Sequence, residues 1–234
     1  MADPESRFRL LTIVIPVYNE HSTVIEVINT VSALKLPLEK EIVVVDDGSD
    51  DGTAERLRDH EGPVRIFTNP INEGKGSAVR VGLRNATGDI ILLQDADLET
   101  DPNEYERLLA PILSGDSQAV YGSRFLLKEN RVPFTRRLAN RFLTGVANLL
   151  LGTSLTDMET AYKVFTKEVA DGLELESNRF EVEPEITAKI IASGYKINEV
   201  PISYSPRTRF EGKKIRFVDG LKALATILKY GTRK

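Results

Sequence analysis

Ile90-Ile91-Leu92-Leu93-Gln94-Asp95-Ala96-Asp97-Leu98-Glu99 is an apolar run that ends abruptly in carboxylates. Four apolar residues bounded by polar ones read as a buried strand, which places the acids at its C-terminal end. In an open α/β sheet that end is where ligands bind. Two aspartates separated by one residue, with a third acid two positions on, put several hard oxygen ligands in a small volume. Such a set suits Mg2+ or Mn2+ shared with phosphates. Helix capping is the competing use of these acids, because Asp101-Pro102-Asn103-Glu104 is a good helix start. Asp101 alone fills that role, which leaves Asp95 and Asp97 unexplained by capping.

The pattern recurs upstream. Leu10 to Tyr18 reads as a buried strand with a break at Pro16, since proline cannot donate to a ladder, and it leads into Asn19-Glu20 and a helical pattern from Val24 to Leu34. Glu41 to Val45 is a second strand that empties into Asp46-Asp47-Gly48-Ser49-Asp50-Asp51-Gly52-Thr53. Val64 to Phe67 is a third, and Gly74 to Thr87 reads as a helix closed by Gly88. Strands that alternate with helices, and are almost continuously apolar, predict a mainly parallel sheet covered on both faces. Adjacent parallel strands then gather Glu20, Asp46, Asp47, Asp95 and Asp97 into one crevice.

Beyond Leu113 the expected elements are a strand at 118–122, an amphipathic helix at 136–151 and a short strand at 161–165. A helix at 184–193 ended by Gly194, a strand at 195–204 broken at Pro201, and a terminal helix at 217–230 complete the chain. The 136–151 helix should carry Leu138, Phe142, Leu143, Val146, Leu149 and Leu150 on one broad face. With no repeat, low-complexity segment or linker, the 234 residues read as one domain.

Composition excludes several classes of function. Hydrophobic residues make up 41% of the chain, enough for a full core. Cysteine is absent, so disulfides, thiolate metal sites and cysteine nucleophiles are ruled out. The N-terminal residues lack a signal-peptide pattern, and no uncharged apolar stretch reaches the length of a membrane span; the expectation is a soluble or peripheral, cytoplasmic protein. The net charge of −4 hides an asymmetry: residues 124–141 hold six Lys/Arg against one acid, and residues 207–234 hold nine against two. Two basic blocks on an acidic body predict an anionic partner.

Gly74-Lys75-Gly76-Ser77 is not a Walker loop, because Asn69 stands where the first glycine belongs and Gly76 where Ser or Thr belongs. The dinucleotide fingerprint fails as well, with Val79 at its third glycine. A tight helix start is the better reading, and its amides still favour a nearby phosphate. His21 and His60 are the only histidines, far apart and expected at the surface. No Ser/His/Asp triad can be assembled, which argues against hydrolysis through a serine nucleophile. A crevice floored with acids, with basic blocks elsewhere, suits a metal-bound nucleotide diphosphate and an anionic second substrate.

Pro16-Val17-Tyr18-Asn19-Glu20, Val45-Asp46-Asp47-Gly48-Ser49-Asp50-Asp51-Gly52-Thr53, Asn72-Glu73-Gly74-Lys75-Gly76 and Asp95-Ala96-Asp97, in this order, resemble the family 2 glycosyltransferases. Gly122-Ser123-Arg124-Phe125, Asp157 to Phe165, Glu199-Val200-Pro201 and Pro206 to Lys214 look like the polyprenyl-phosphate branch, which includes dolichyl-phosphate mannose synthases and dolichyl- or undecaprenyl-phosphate glucosyltransferases. The resemblance implies a GT-A fold: a Rossmann-like three-layer α/β sandwich around a mainly parallel sheet. Residues up to about 125 would form the donor half, and 126–234 the acceptor half.

It also implies roles. Pro16, Tyr18, Glu20, Val45 and Asp47 would surround the base and ribose of a nucleotide-sugar donor. Asp95, Ala96 and Asp97 would hold the diphosphate and Mg2+ or Mn2+, with Glu99 where mannose synthases carry a metal-binding glutamine. Arg124 would contact the acceptor phosphate, with Arg136 or Arg137 and Asn140 beside it; Arg207 and Lys213 match the basic pair of a loop that closes over the donor phosphates. The expected reaction is inverting transfer of a hexose to a polyprenyl monophosphate at the cytoplasmic face of a membrane. An anionic phosphate nucleophile needs no strong general base, and basic amphipathic helices at 136–151 and after Lys213 would reach the bilayer. The alternatives are a soluble or polysaccharide acceptor, or a non-catalytic nucleotide-sugar-binding protein. Nucleic acid is not an expected partner, and no oligomeric state is assigned.

Overall fold

The structure, a computed structural model, describes residues 7–207 and 217–231. Its core is a seven-stranded sheet in the order β3-β2-β1-β4-β6-β5-β7. In chain order the strands are β1 (Leu10–Val17), β2 (Glu39–Asp46), β3 (Val64–Thr68), β4 (Ile90–Leu93), β5 (Ala119–Ser123), β6 (Lys163–Thr166) and β7 (Ile197–Pro201). Strands β1 to β4 pair in parallel, β5 pairs in parallel with β7, and β6 alone runs antiparallel to its neighbours. The mainly parallel sheet expected from the sequence is therefore present.

Alternation along β1 assigns the two layers of helices. Leu11, Ile13 and Ile15 face Val24, Val27, Ile28 and Val31 of α1 (Val24–Ala33), in the cluster that also holds Leu108, Leu109 and Ile112 of α4 (Tyr105–Leu113). Val14 faces the other way with Ile91 and Leu93, toward Val79 of α3 (Lys75–Asn85) and Val182, Ile186 and Ile190 of α7 (Val182–Ala192). Short helices α2 (Thr53–Arg58) and α6 (Lys167–Asp171) complete these layers. Helix α5 (Phe134–Leu151) packs through Leu143 and Ala147 against Ala223 and Ile227 of α8 (Phe217–Gly231), outside the sandwich.

The chain runs outward from β1 through β2 to β3, then returns across α3 to insert β4 on the opposite side of β1. The strand order thus reverses between β1 and β4, a switch point that opens a crevice at the carboxyl ends of these strands. Pro16 is tolerated in this central strand because β4 pairs with β1 only up to Val14, so no ladder bond is lost.

Three local expectations differ from the structure. Helix α3 ends at Asn85, and Gly88 is not its cap; an added Cβ there would lie 2.7 Å from the Thr12 backbone nitrogen, so glycine lets the chain cross β1. The terminal strand covers 197–201, not 195–204, because Pro201 ends it. The broad apolar face of α5 is in fact divided: Leu143 packs inward with Val146 and Leu150 beside it, whereas Leu138, Phe142 and Leu149 are exposed.

Helix α3 presses on β1 through Gly82, where an added Cβ would lie 2.2 Å from Val14 Cγ1. Val14 is β-branched and fully buried, so it cannot step aside. Gly82→Ala should lower stability by roughly 1–3 kcal/mol through overpacking, read as a lower urea midpoint at unchanged slope.

Candidate active site

The floor of the crevice is built by Gln94. Its Oε1 accepts hydrogen bonds from Tyr105 and Tyr162, each at 2.7 Å, and its Nε2 donates to the Asp95 carbonyl at 2.8 Å. The two tyrosines are fully buried and meet edge to face, 5.9 Å between ring centroids. This clamp fixes the backbone at the point where β4 yields to Asp95. Leu98 then adopts φ +56°, an uncommon conformation for a branched side chain, and the Glu99 N–H donates to Asp97 Oδ1 at 3.1 Å.

Asp95 and Asp97 have different partners. Asp95 Oδ1 lies 2.7 Å from Lys75 Nζ, which also reaches Glu183 Oε1 at 2.9 Å. Burial alone would lower the lysine pKa, but these two carboxylates raise it, and the ammonium stays charged. Asp97 is pushed up to about 7 by burial and by the negative charges of Asp95 and Glu99. Glu99 has cationic and hydroxyl partners of its own: it accepts from Arg136 Nη1 at 3.2 Å, the Arg207 N–H at 2.8 Å and the Tyr204 hydroxyl at 2.9 Å. Among the described residues, no three acid, His or Cys side chains converge into a ready cation cage. Asp95 and Asp97 nonetheless fit a divalent cation: they are hard oxygen donors, and the mutual repulsion that raises Asp97 is what such an ion would relieve.

Arg207 spans the crevice. Its Nη2 donates to Glu20 Oε2 at 2.7 Å and its Nε to the Asp97 carbonyl at 2.8 Å, so Arg207 is tied to the segments that follow β1 and β4. Lys213 lies outside the described residues. Pro16 and Tyr18 are half-buried at the rim. Val45 is enclosed against Val43 and Ala78, so only its backbone can face a ligand. Asp47 holds the neighbouring loop: it accepts from Asn69 Nδ2 at 2.8 Å and from the N–H groups of Glu73 and Gly74 at 3.3 and 2.6 Å. Asp46 Oδ1 accepts from Ser49, while its Oδ2 is buried without a hydrogen-bond partner. His21 is exposed and His60 half-buried.

Arg124 lies in a second recess. Its Nε and Nη2 form a two-pronged bond to the fully buried Asp157, both at 2.7 Å, and its guanidinium lies 5.3 Å from the Tyr204 ring centroid. Glu199 secures that aspartate by accepting from the N–H groups of Thr156 and Asp157 at 2.7 and 2.9 Å. A cavity of about 610 Å3 opens beside this pair, where Arg137, Arg141, Lys128 and Asn140 meet Phe125, Leu127 and Leu155. Arg137 and Arg124 thus share one recess, whereas Arg136 points to Glu99. Sequence reasoning passed over Gln94, Lys75, Asp157, Lys163 and Glu183; the one available signal was the lysine beside two glycines at a helix start.

Residues 12–173 match the family model described as glycosyl transferase family 2. The chain belongs to this family. It is 32% identical over 209 residues to a dolichol-phosphate mannosyltransferase of Pyrococcus furiosus, covering 87% of this chain and 58% of that protein. It is 29% identical to the glycosyltransferase AglD of Haloferax volcanii, covering 90% of this chain and 35% of the relative. A dolichyl-phosphate beta-glucosyltransferase, ALG5A of Trichomonas vaginalis, is 30% identical over 97% of this chain and 73% of its own length. The chain thus spans under three fifths of the Pyrococcus protein and little more than a third of AglD. These relatives bear out the resemblance to the polyprenyl-phosphate branch. The fold is GT-A: glucosyl-3-phosphoglycerate synthase of Mycobacterium tuberculosis, crystallised with Mn2+, UDP and phosphoglyceric acid, superposes with a TM-score of 0.78 at 22% identity, covering 98% of this chain and 81% of that one.

One carboxyl beside the recess should titrate near neutrality. Burial and the nearby Glu183 charge push Glu159 up to about 7 against the pull of Lys163 and Arg124, and its Oε1 is buried without a hydrogen-bond partner. A raised acid favours folding only while protonated, so its ionised form costs stability increasingly as pH rises from about 4.5 to about 7. Glu159→Gln should therefore gain on the wild type across that window, measured as the gap between urea midpoints at pH 4.5 and pH 8. A gap independent of pH contradicts the assignment.

Proposed function

We propose that this chain is one catalytic domain that transfers a hexose from a nucleotide diphosphate sugar, of the GDP-mannose or UDP-glucose type, to a polyprenyl monophosphate. Residues up to about 125 form most of the donor half and the remainder most of the acceptor half, with Arg207 returning to the donor crevice and Arg124 facing the acceptor recess. The observation that carries this reading is the recess beside Arg124, in which cationic side chains meet an apolar wall, next to the acidic crevice at the β1/β4 switch point. Such a recess suits a ligand with an anionic head and an apolar body. The named dolichyl-phosphate enzymes among the relatives support it.

In a single inverting displacement, an acceptor phosphate oxygen attacks the anomeric carbon. The bond from that carbon to the diphosphate oxygen breaks, and the nucleoside diphosphate leaves with the electron pair. The carbon passes through an oxocarbenium-like state. Since the nucleophile is already anionic, no side chain has to accept a proton. Asp95 and Asp97 would hold Mg2+ or Mn2+, which when bound supplies positive charge to the departing diphosphate. Arg207, and by sequence Lys213, add cationic charge on the same side. Arg137, Arg141 and Lys128 bind the acceptor phosphate; Arg124, neutralised by Asp157, shapes the recess and presents its remaining N–H groups.

The acceptor's apolar body requires contact with a bilayer. No helix among the described residues is long and apolar enough to cross one. Helix α5 instead presents Phe134, Leu138, Phe142 and Leu149 to solvent, with Phe134 77% and Leu149 83% exposed. Arg137 and Arg141 lie between them in sequence, the composition of a helix seated in the interfacial plane. The basic blocks suit anionic headgroups of the cytoplasmic leaflet.

Radiolabelled transfer from GDP-mannose, UDP-glucose and UDP-N-acetylglucosamine, offered with a polyprenyl phosphate or with a soluble phosphorylated acceptor, tests donor and acceptor together. Asp97→Ala should reduce turnover at least ~10²-fold with an unchanged circular dichroism spectrum; near wild-type activity refutes the assignment. Replacing Phe134, Leu138 and Phe142 together by serine should abolish co-sedimentation with anionic vesicles, and binding that ignores both this change and added salt contradicts the membrane reading.

A further inference from the structure

Lys75 occupies an unusual position. It is a buried ammonium held by two carboxylates from different elements, Asp95 at 2.7 Å and Glu183 at 2.9 Å. Glu183 in turn is fixed from its other side. Its Oε2 bonds Lys163, which is itself fully buried, lies 4.7 Å from the Tyr121 ring centroid, and donates to the carbonyls of Met158 and Thr160 at 3.1 and 2.5 Å. Burial works against an ionised Glu183, and the two lysines keep it charged. Glu183 is therefore a stationary anion within reach of Lys75, while Asp95 is shared between Lys75 and whatever enters the crevice.

We propose that Lys75 is a built-in counter-ion of Asp95 that yields to a divalent cation by withdrawing onto Glu183. Glu183 is in this sense a positioning residue: it touches no substrate and governs metal binding through Lys75. The inference rests on the reading that Asp95 and Asp97 bind metal. Its physical basis is charge balance. A cation arriving at Asp95 competes with the ammonium, and a buried ammonium can leave one carboxylate only if another receives it. No proton moves and no bond is broken.

The test is Mn2+ binding to the full chain without nucleotide, followed by the electron paramagnetic resonance signal of free Mn2+. Glu183→Gln removes the alternative seat, leaves Lys75 on Asp95, and should weaken Mn2+ binding about tenfold or more, the range found for partners that orient metal ligands. Lys75→Met removes the competitor and should tighten Mn2+ binding. In the Lys75→Met background, adding Glu183→Gln should change nothing further. Binding by Glu183→Gln equal to the wild type overturns the proposal, as does a loss that persists in the double variant. If Glu183→Gln fails to fold, Lys75→Met alone decides, because unchanged or weaker binding there is incompatible with a competing ammonium. A wild-type chain that takes up no Mn2+ refutes the metal reading itself, a different outcome from wild-type binding that the variants leave unmoved.

Discussion

Four charged side chains joined end to end, Asp95, Lys75, Glu183 and Lys163, tie together the elements around the crevice. They come from the end of β4, the start of α3, the first turn of α7 and the start of β6, so one line of ion pairs crosses the sheet at the switch point. Two cations and two anions balance along it. That balance is what permits burial, because an isolated charge in this environment would cost several kcal/mol. Glu183 stands inside the line, bonded to both lysines, so each lysine keeps a carboxylate partner there.

The glycines around Lys75 belong to the same constraint. An added Cβ at Gly76 would come within 2.2 Å of the Ser177 carbonyl oxygen, and one at Gly74 within 2.6 Å of that of Asn178. The 177–178 segment lies directly on the start of α3, where the Ser77 N–H donates to the Asn178 carbonyl at 3.0 Å. Glu185 anchors this segment by accepting from the N–H groups of Glu176 and Ser177, each at 2.8 Å, and the Tyr230 hydroxyl of α8 donates to Glu185 at 2.9 Å. A glycine-lysine-glycine sequence that looks like a phosphate loop is thus explained by close backbone approach and by a lysine that must enter a buried ion chain.

At the other recess the charges divide differently. Arg124 is neutralised by Asp157, and Arg136 by Glu99, whereas Arg137 and Arg141 line the cavity. Adjacent residues on a helix project about 100° apart, so Arg136 and Arg137 serve different crevices although nothing in the sequence separates them. The same geometry splits the leucines and phenylalanines of α5 into a row packed on α8 and a row left in solvent.

The amino-acid sequence alone determined the strand and helix succession, the parallel character of the sheet and the carboxylates at Glu20, Asp47, Asp95 and Asp97, because apolar periodicity and chain punctuation are local properties. Gly88 serves close contact with β1 and does not cap α3, and the last strand stops at Pro201. Only the tertiary structure decided which charges are free. Glu99 looked like a metal ligand and is held by Arg136, Tyr204 and Arg207. Arg124, expected at the acceptor phosphate, is also clamped by an aspartate 33 residues away. Lys75 and Glu183, 108 positions apart, show no mutual signal in the sequence. An ion pair depends on distance through space and on the loss of water around it, and both come into being only when the chain closes on itself.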